Sequence, residues 1–227
     1  MSVPDTDTNS PVTIPTTTTD RPAGTGQASD VAGIPTVARH RPFGLVLLIT
    51  GVVGWVASAI LVLERLELYE DAGYITSCDI NPWVSCGRVM GTWQSELFGF
   101  PNPLIGIVAF AVVIATAMVV LSGARPGRGY WAGLQAGVTL GMGFVAWLWF
   151  QALYEIYILC LYCMIVWAAM IPLTILLTIR NMVHGIIPAP PGLARFAADW
   201  AWTLVAITYV AVAASVFFRF FSIFTGL

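Results

Sequence analysis

The chain has 227 residues, 58% of them hydrophobic and only 10% charged, with a mean hydropathy of +0.81. A water-soluble domain carries roughly 25% charged residues, so most of this chain belongs in lipid. A formal net charge of −2 suggests no nucleic-acid partner.

Residues 1–38 are rich in Thr, Pro, Asp and Ser and contain no aromatic residue. Such a segment buries too little apolar surface to order itself, which predicts a disordered tail. It has no charged start followed by an apolar core, so a signal peptide is not expected. Five apolar runs follow, at 43–63, 103–121, 130–153, 159–179 and 200–224. Each is near the roughly 20 residues that one crossing needs. They are continuous rather than alternating, which predicts helices and an all-α membrane protein with five spans.

Arginine supplies all ten basic residues and sets the threading. Arg39 and Arg41, Arg125 and Arg128, and Arg180 and Arg195 all fall on one side of the five spans. That side is predicted to be cytoplasmic, where Lys and Arg accumulate. The other side receives Glu64, Glu67, Glu70, Asp71, Asp79, Glu96 and Glu155, with Arg65, Arg88 and Arg219. The N-terminus is then inside, and residues 64–102 form an outer loop.

All four cysteines lie on the outer side. Disulfides persist in such compartments and are rare in the cytosol. Cys160-Leu161-Tyr162-Cys163 is a C-x-x-C motif at a predicted helix start. At this spacing the Cβ atoms are about 5–6 Å apart, near enough for a disulfide to close. The positive end of the helix dipole favours thiolate, while apolar burial opposes it. Cys78 and Cys86 would stand about 12 Å apart along a straight helix, so the chain must bend between them. Asn81-Pro82 supplies a turn there. Cys86, Met90, Trp93 and Leu97 form an apolar stripe, which predicts a short interfacial helix over 83–98. Its face should bring Cys86 to the bundle mouth and leave Cys78 exposed.

Two nearby pairs suggest a relay of thiol–disulfide exchanges from Cys78 and Cys86 to Cys160 and Cys163. Two permanent staples would use the same residues. A C-x-x-C staple closes a tiny loop and adds little stability, which weakens that alternative for the second pair. Zinc is disfavoured because one pair is C-x7-C rather than C-x-x-C, and no metal ligand set is expected.

The pattern Cys78-Asp79, Cys86-Gly87-Arg88-Val89, Asn102-Pro103-Leu104-Ile105-Gly106 and Cys160-Leu161-Tyr162-Cys163 resembles the vitamin K epoxide reductase family, in its bacterial branch. The resemblance implies a four-helix transmembrane bundle around a quinone within residues 39–185, capped by the cysteine loop 64–102. Residues 186–227 would then add a linker and a fifth transmembrane helix. It implies that Cys78 meets the redox partner, Cys86 exchanges with Cys160, and Cys163 reduces the quinone, of the menaquinone type or ubiquinone. Asn102 would donate to a quinone carbonyl, and Thr92 would organise the loop. Some members carry a Tyr where this chain has Trp167, whose indole N–H sits differently from a phenol hydroxyl.

Many bacterial members continue into a thioredoxin-like domain, whereas this sequence ends at Leu227. A separate extracytoplasmic DsbA-like thioredoxin-fold protein is therefore the expected partner, with the chain in a bacterial inner membrane. Reduction of vitamin K epoxide itself and a stapled structural membrane protein are the alternatives. A carrier of reducing equivalents across the membrane would need a cysteine reachable from the cytoplasm. Gly133, Gly137 and Gly141 form a small-residue row expected to pack closely within the bundle, or else to pair two copies. Gln135 and Gln151 are expected to face the bundle interior, with Gln151 near the outer mouth, either touching the quinone or packing against a backbone carbonyl. His184 lies at the cytoplasmic end, far from the cysteines.

Overall fold

The computed structural model describes residues 40–71 and 73–225, with side chains from 41 to 221. The expected tail over 1–38 lies outside the described residues. Helix α1 spans His40–Glu70, α2 Cys86–Met90, α3 Pro103–Leu121, α4 Arg128–Gln151, α5 Leu161–Val183, α6 Pro191–Asp199 and α7 Ala201–Thr225. Five of these are long and apolar enough to cross a membrane, at the five expected places. The protein is an all-α, multi-pass membrane protein.

Three local features differ from the sequence expectations. Helix α1 continues to Glu70, so Glu64, Arg65 and Glu67 are helical rather than part of the loop. No helix breaker occurs between 63 and 70, and Leu66, Leu68 and Tyr69 extend the run. The single helix expected over 83–98 is instead α2 followed by a 3-10 turn, Trp93–Glu96. Gly91 stops α2, its N–H returning to the Gly87 carbonyl, and the Thr92 hydroxyl donates to the Val89 carbonyl at 2.7 Å. Trp93 and Leu97 are therefore exposed, and only Cys86 and Met90 of the stripe are buried. Helix α6 occupies part of the expected linker, with Pro191 in its first turn, where a missing N–H is harmless.

Helix α5 is the axis. It packs on α1, α4, α6 and α7, and α1 also packs along α3. Glycine sets the α1–α3 approach: a Cβ at Gly54 would stand 2.3 Å from the Phe110 ring, and one at Gly106 would stand 2.3 Å from Ser58 Oγ. The row on α4 behaves otherwise. A Cβ at Gly133 or Gly137 would meet nothing within 4 Å, and one at Gly141 would touch Met170 at 3.4 Å. These glycines line a cavity between α3 and α4 rather than a helix contact, because α4 leans on α5 and stands off α3.

Away from the cysteines, Gln135 does face the interior. Its amide donates to Thr178 Oγ1 at 3.0 Å and accepts from Asn181 Nδ2 at 2.9 Å. Beside it the Arg180 guanidinium is buried 3.5 Å above the Trp131 ring. Pro172 lies inside α5 and deprives the Ala168 carbonyl of its helical donor. Tyr209 Oη on α7 donates to that carbonyl at 2.6 Å.

Candidate redox site

The loop that carries the first cysteine pair is organised by one carboxylate. Asp79 Oδ1 accepts from Ser85 Oγ at 2.5 Å and from the Gly87 N–H at 3.2 Å, while Oδ2 accepts from the Thr76 N–H at 3.0 Å. Burial pushes its pKa up, but bonds from Ser85, Thr76 and Gly87 outweigh this and hold it below the usual carboxylate value. The expected turn is present. Asn81 Oδ1 accepts from the N–H groups of Trp83 and Val84, both at 2.9 Å, which reverses the chain between the cysteines. Ser85 then caps α2, its hydroxyl accepting from the Arg88 N–H at 3.2 Å. Cys78 and Cys86 are thereby brought to a Cα separation of 5.6 Å and form a disulfide.

The same loop is sewn to the base of α5. Leu159 N–H donates to the Trp83 carbonyl at 2.8 Å, and Ser85 N–H donates to the Leu159 carbonyl at 3.0 Å. Ser77 Oγ and Tyr162 Oη share a hydrogen bond at 3.0 Å. On the other side, Glu64 accepts from the Ser77 N–H at 3.2 Å, and Arg65 donates to the Met90 carbonyl at 2.6 Å and pairs with Glu96. These bonds set Cys86 Sγ 3.2 Å from Cys160 Sγ.

Cys160 is the N-cap of α5, and its sulfur accepts from the Cys163 N–H at 3.4 Å. Cys160 and Cys163 are both free thiols here. The Cys163 side chain donates to Cys160 and, with the backbone N–H groups of Cys163 and Tyr162, overcomes burial, so the Cys160 thiol titrates below its ordinary value. The charge of Asp79 acts in the opposite sense. Three sulfurs, of Cys78, Cys86 and Cys160, converge within 4.8 Å, but two of them are bonded to each other and offer no thiolate to a cation.

A mostly apolar cavity of about 600 Å³ opens beneath them, reached by Cys160 and Cys163 and walled by α1, α3, α4 and α5. Asn102, Thr92 and Trp167 line it, and so does the glycine row of α4. Asn102 also braces the loop, since its Nδ2 donates to the Gln94 carbonyl at 2.6 Å and its Oδ1 accepts from the Leu97 N–H at 3.3 Å. Gln151 is not among the lining residues. It accepts from Gln94 Nε2 at 3.4 Å, and Gln94 takes the place at the wall that Gln151 was expected to fill. The second departure is Cys78, which is 1% exposed rather than standing in water. Its neighbours Ile75, Ser77 and Ile80 are exposed instead.

Residues 45–178, which hold the cysteine loop and all four spans around the cavity, match the vitamin K epoxide reductase family. The chain belongs to that family. No curated protein matches the chain. Family membership makes it a membrane oxidoreductase, and the family's chemistry joins thiols to quinones. The cavity fits such a ligand on its own terms. It is apolar, within the range of roughly 300–1,000 Å³ usual for small-molecule sites, and edged by a buried amide at Asn102 that retains a second N–H.

The sequence pattern alone does not mark Asp79 or Gln94 as functional. The motif places Asp79 beside Cys78, yet its bonds to Ser85 and Gly87 exist only once the Asn81-Pro82 turn has formed.

Proposed function

We propose that this protein reoxidises a reduced extracytoplasmic DsbA-like thioredoxin-fold protein and delivers the electrons to a quinone. The observation that carries the reading is the 3.2 Å approach of Cys86 Sγ to Cys160 Sγ, directly above an apolar cavity that Cys163 reaches.

Each exchange balances in electrons and protons. A partner thiolate attacks Cys78 of the Cys78–Cys86 disulfide, and the partner's second thiol resolves the mixed disulfide. The loop gains two electrons and two protons and becomes a dithiol. Cys86 thiolate then attacks Cys160 of a Cys160–Cys163 disulfide, and Cys163 leaves as thiolate. Cys78 attacks Cys86, and Cys160 leaves in turn. The loop disulfide above a free C-x-x-C pair corresponds to the state that follows. A low thiol pKa suits Cys160 as a leaving group in that last step. A quinone bound in the cavity supplies the acceptor for two electrons and two protons. Asn102 and Trp167 would hold it near Cys163.

Arginine at the opposite end of the bundle supports an extracytoplasmic cysteine face in a bacterial inner membrane. Because Cys78 is buried, partner attack requires the 73–85 segment to open, and the exposed Ile75 and Ile80 offer apolar surface beside it.

The test supplies the purified protein in lipid with a reduced DsbA-like protein and a quinone, and follows quinol formation. Cys163→Ala should abolish turnover, and full activity in that variant would end the relay. Vitamin K epoxide offered to the same preparation distinguishes the alternative substrate.

A further inference from the structure

Helix α7 lies beyond the matched stretch 45–178. It supplies no cysteine and does not line the cavity between α3 and α4. It is nevertheless fastened to the segment that leads into Cys160.

That segment is irregular. Helix α4 ends in a π-turn, Ala152–Ile156, and Tyr157 then reverses the chain at φ 58°. The left-handed region is costly for a residue with a Cβ and persists only where its surroundings enforce it. The last carbonyls of a helix also lack intrahelical donors. Arg219 of α7 answers both needs. Its Nε donates to the Leu153 carbonyl at 2.9 Å, and its guanidinium lies 4.5 Å from the centre of the Tyr157 ring and 5.4 Å from that of Tyr154. The adjacent Phe220 is buried in one cluster with Leu153, Leu159 and Trp167. Leu159 is the residue whose backbone pairs with Trp83 and Ser85 on one side and precedes Cys160 on the other.

We propose that Arg219 is a positioning residue for the exchange between Cys86 and Cys160. By holding residues 153–159 in register, it keeps the two sulfurs at reacting distance. The step it serves forms the Cys86–Cys160 bond, breaks Cys160–Cys163 and sends the electron pair to Cys163. This role rests on the relay reading, but its measurement requires neither quinone nor partner protein.

The experiment uses the full chain in lipid nanodiscs with Cys78→Ser and Cys163→Ser, so that only Cys86 and Cys160 remain. The protein is equilibrated with a glutathione buffer. Closure of the Cys86–Cys160 disulfide gives two electrons and two protons to oxidised glutathione and releases two reduced glutathiones. The equilibrium constant is the effective molarity of the two thiols, a direct reading of their alignment. Arg219→Met keeps the apolar stem but lacks the donor, and should lower that constant about tenfold, roughly 30 mV for a two-electron couple. Arg219→Lys, which still donates, should recover it to within about threefold of the arginine protein. Tyr209→Phe cuts the other α7 tether, at Ala168, and should leave the constant within about twofold. Where Arg219→Met does not fold, Arg219→Leu reads the same constant. An unchanged constant in the apolar variant overturns the proposal. So does an equal loss in Tyr209→Phe, which would make general helix packing the cause, or an equal loss in Arg219→Lys.

Discussion

Cys86 Sγ rests 3.2 Å from Cys160 Sγ while Cys86 is bonded to Cys78. Three sulfurs of one exchange reaction are therefore held together in the folded protein. Pre-assembly of this kind supplies much of the entropic cost of a bimolecular step. It depends on the loop and on α5 meeting through Leu159, not on the cysteines alone.

Cys160 should react as a thiolate at a lower pH than an ordinary cysteine, whose midpoint is about 8.5. The largest cause is the bond from the Cys163 side chain. Removing it in Cys163→Ala leaves burial less opposed, so the midpoint should move up. The measurement is the pH profile of Cys160 alkylation by a small reagent, read by mass spectrometry with the loop disulfide intact. A profile that does not move would show that Cys163 does not set Cys160's acidity.

Asp79 should govern loop stability. Asp79→Ala strands the Thr76 N–H and leaves the Ser85 hydroxyl without its acceptor, while the Gly87 N–H keeps Thr76 Oγ1; it should cost about 1–3 kcal/mol, measured as increased proteolysis of the 73–85 segment. The pH dependence follows from the sign of the shift. The carboxylate is held below its ordinary value, so its contribution is fully present above about pH 4 and is lost as pH falls through the lower folded value. Loop protection should therefore be flat from neutrality to about pH 4 and fall only below it. Loss beginning near pH 6 would point to another group.

The spans and the bend between Cys78 and Cys86 were legible because both are local: long apolar runs and an Asn-Pro turn need no tertiary knowledge. The glycine row of α4 was not, because sequence spacing cannot distinguish a helix–helix seam from a wall facing a cavity. The depth of Cys78 was missed for a similar reason. Its acidic neighbours suggested solvent, but Asp79 turns inward to bind Ser85 and Gly87, and Glu64 reaches Ser77 from α1. Gln151 sits one layer back, since Gln94 from a distant loop stands before it.

The two glycine environments predict opposite outcomes. Gly137→Leu enters open space and should leave thermal stability nearly unchanged while raising the KM for quinone about tenfold by filling the cavity. Gly54→Leu collides with the Phe110 ring and should destabilise the fold by at least about 1–3 kcal/mol, the usual cost of overpacking. Thermal unfolding and quinone kinetics on both variants test this, and a destabilised Gly137→Leu with normal KM would place the ligand elsewhere.

Asn102 serves both the loop and the cavity with one amide. One N–H is committed to the Gln94 carbonyl, and the side-chain oxygen to the Leu97 N–H. The other N–H is the one left for a ligand in the cavity it lines. Asn102→Ala should therefore lose both functions: stability falls by about 1–3 kcal/mol, because the buried Gln94 carbonyl loses its donor and the part-buried Leu97 N–H its acceptor, and the KM for quinone rises. Asn102→Asp keeps the acceptor for Leu97 but removes both donors. It should retain more stability than Asn102→Ala while losing as much quinone affinity. Comparing unfolding temperatures with KM across the pair separates the two roles. Equal stability losses would show that the bond to Gln94 alone holds the turn, and an unchanged KM in both variants would remove Asn102 from the ligand's surroundings.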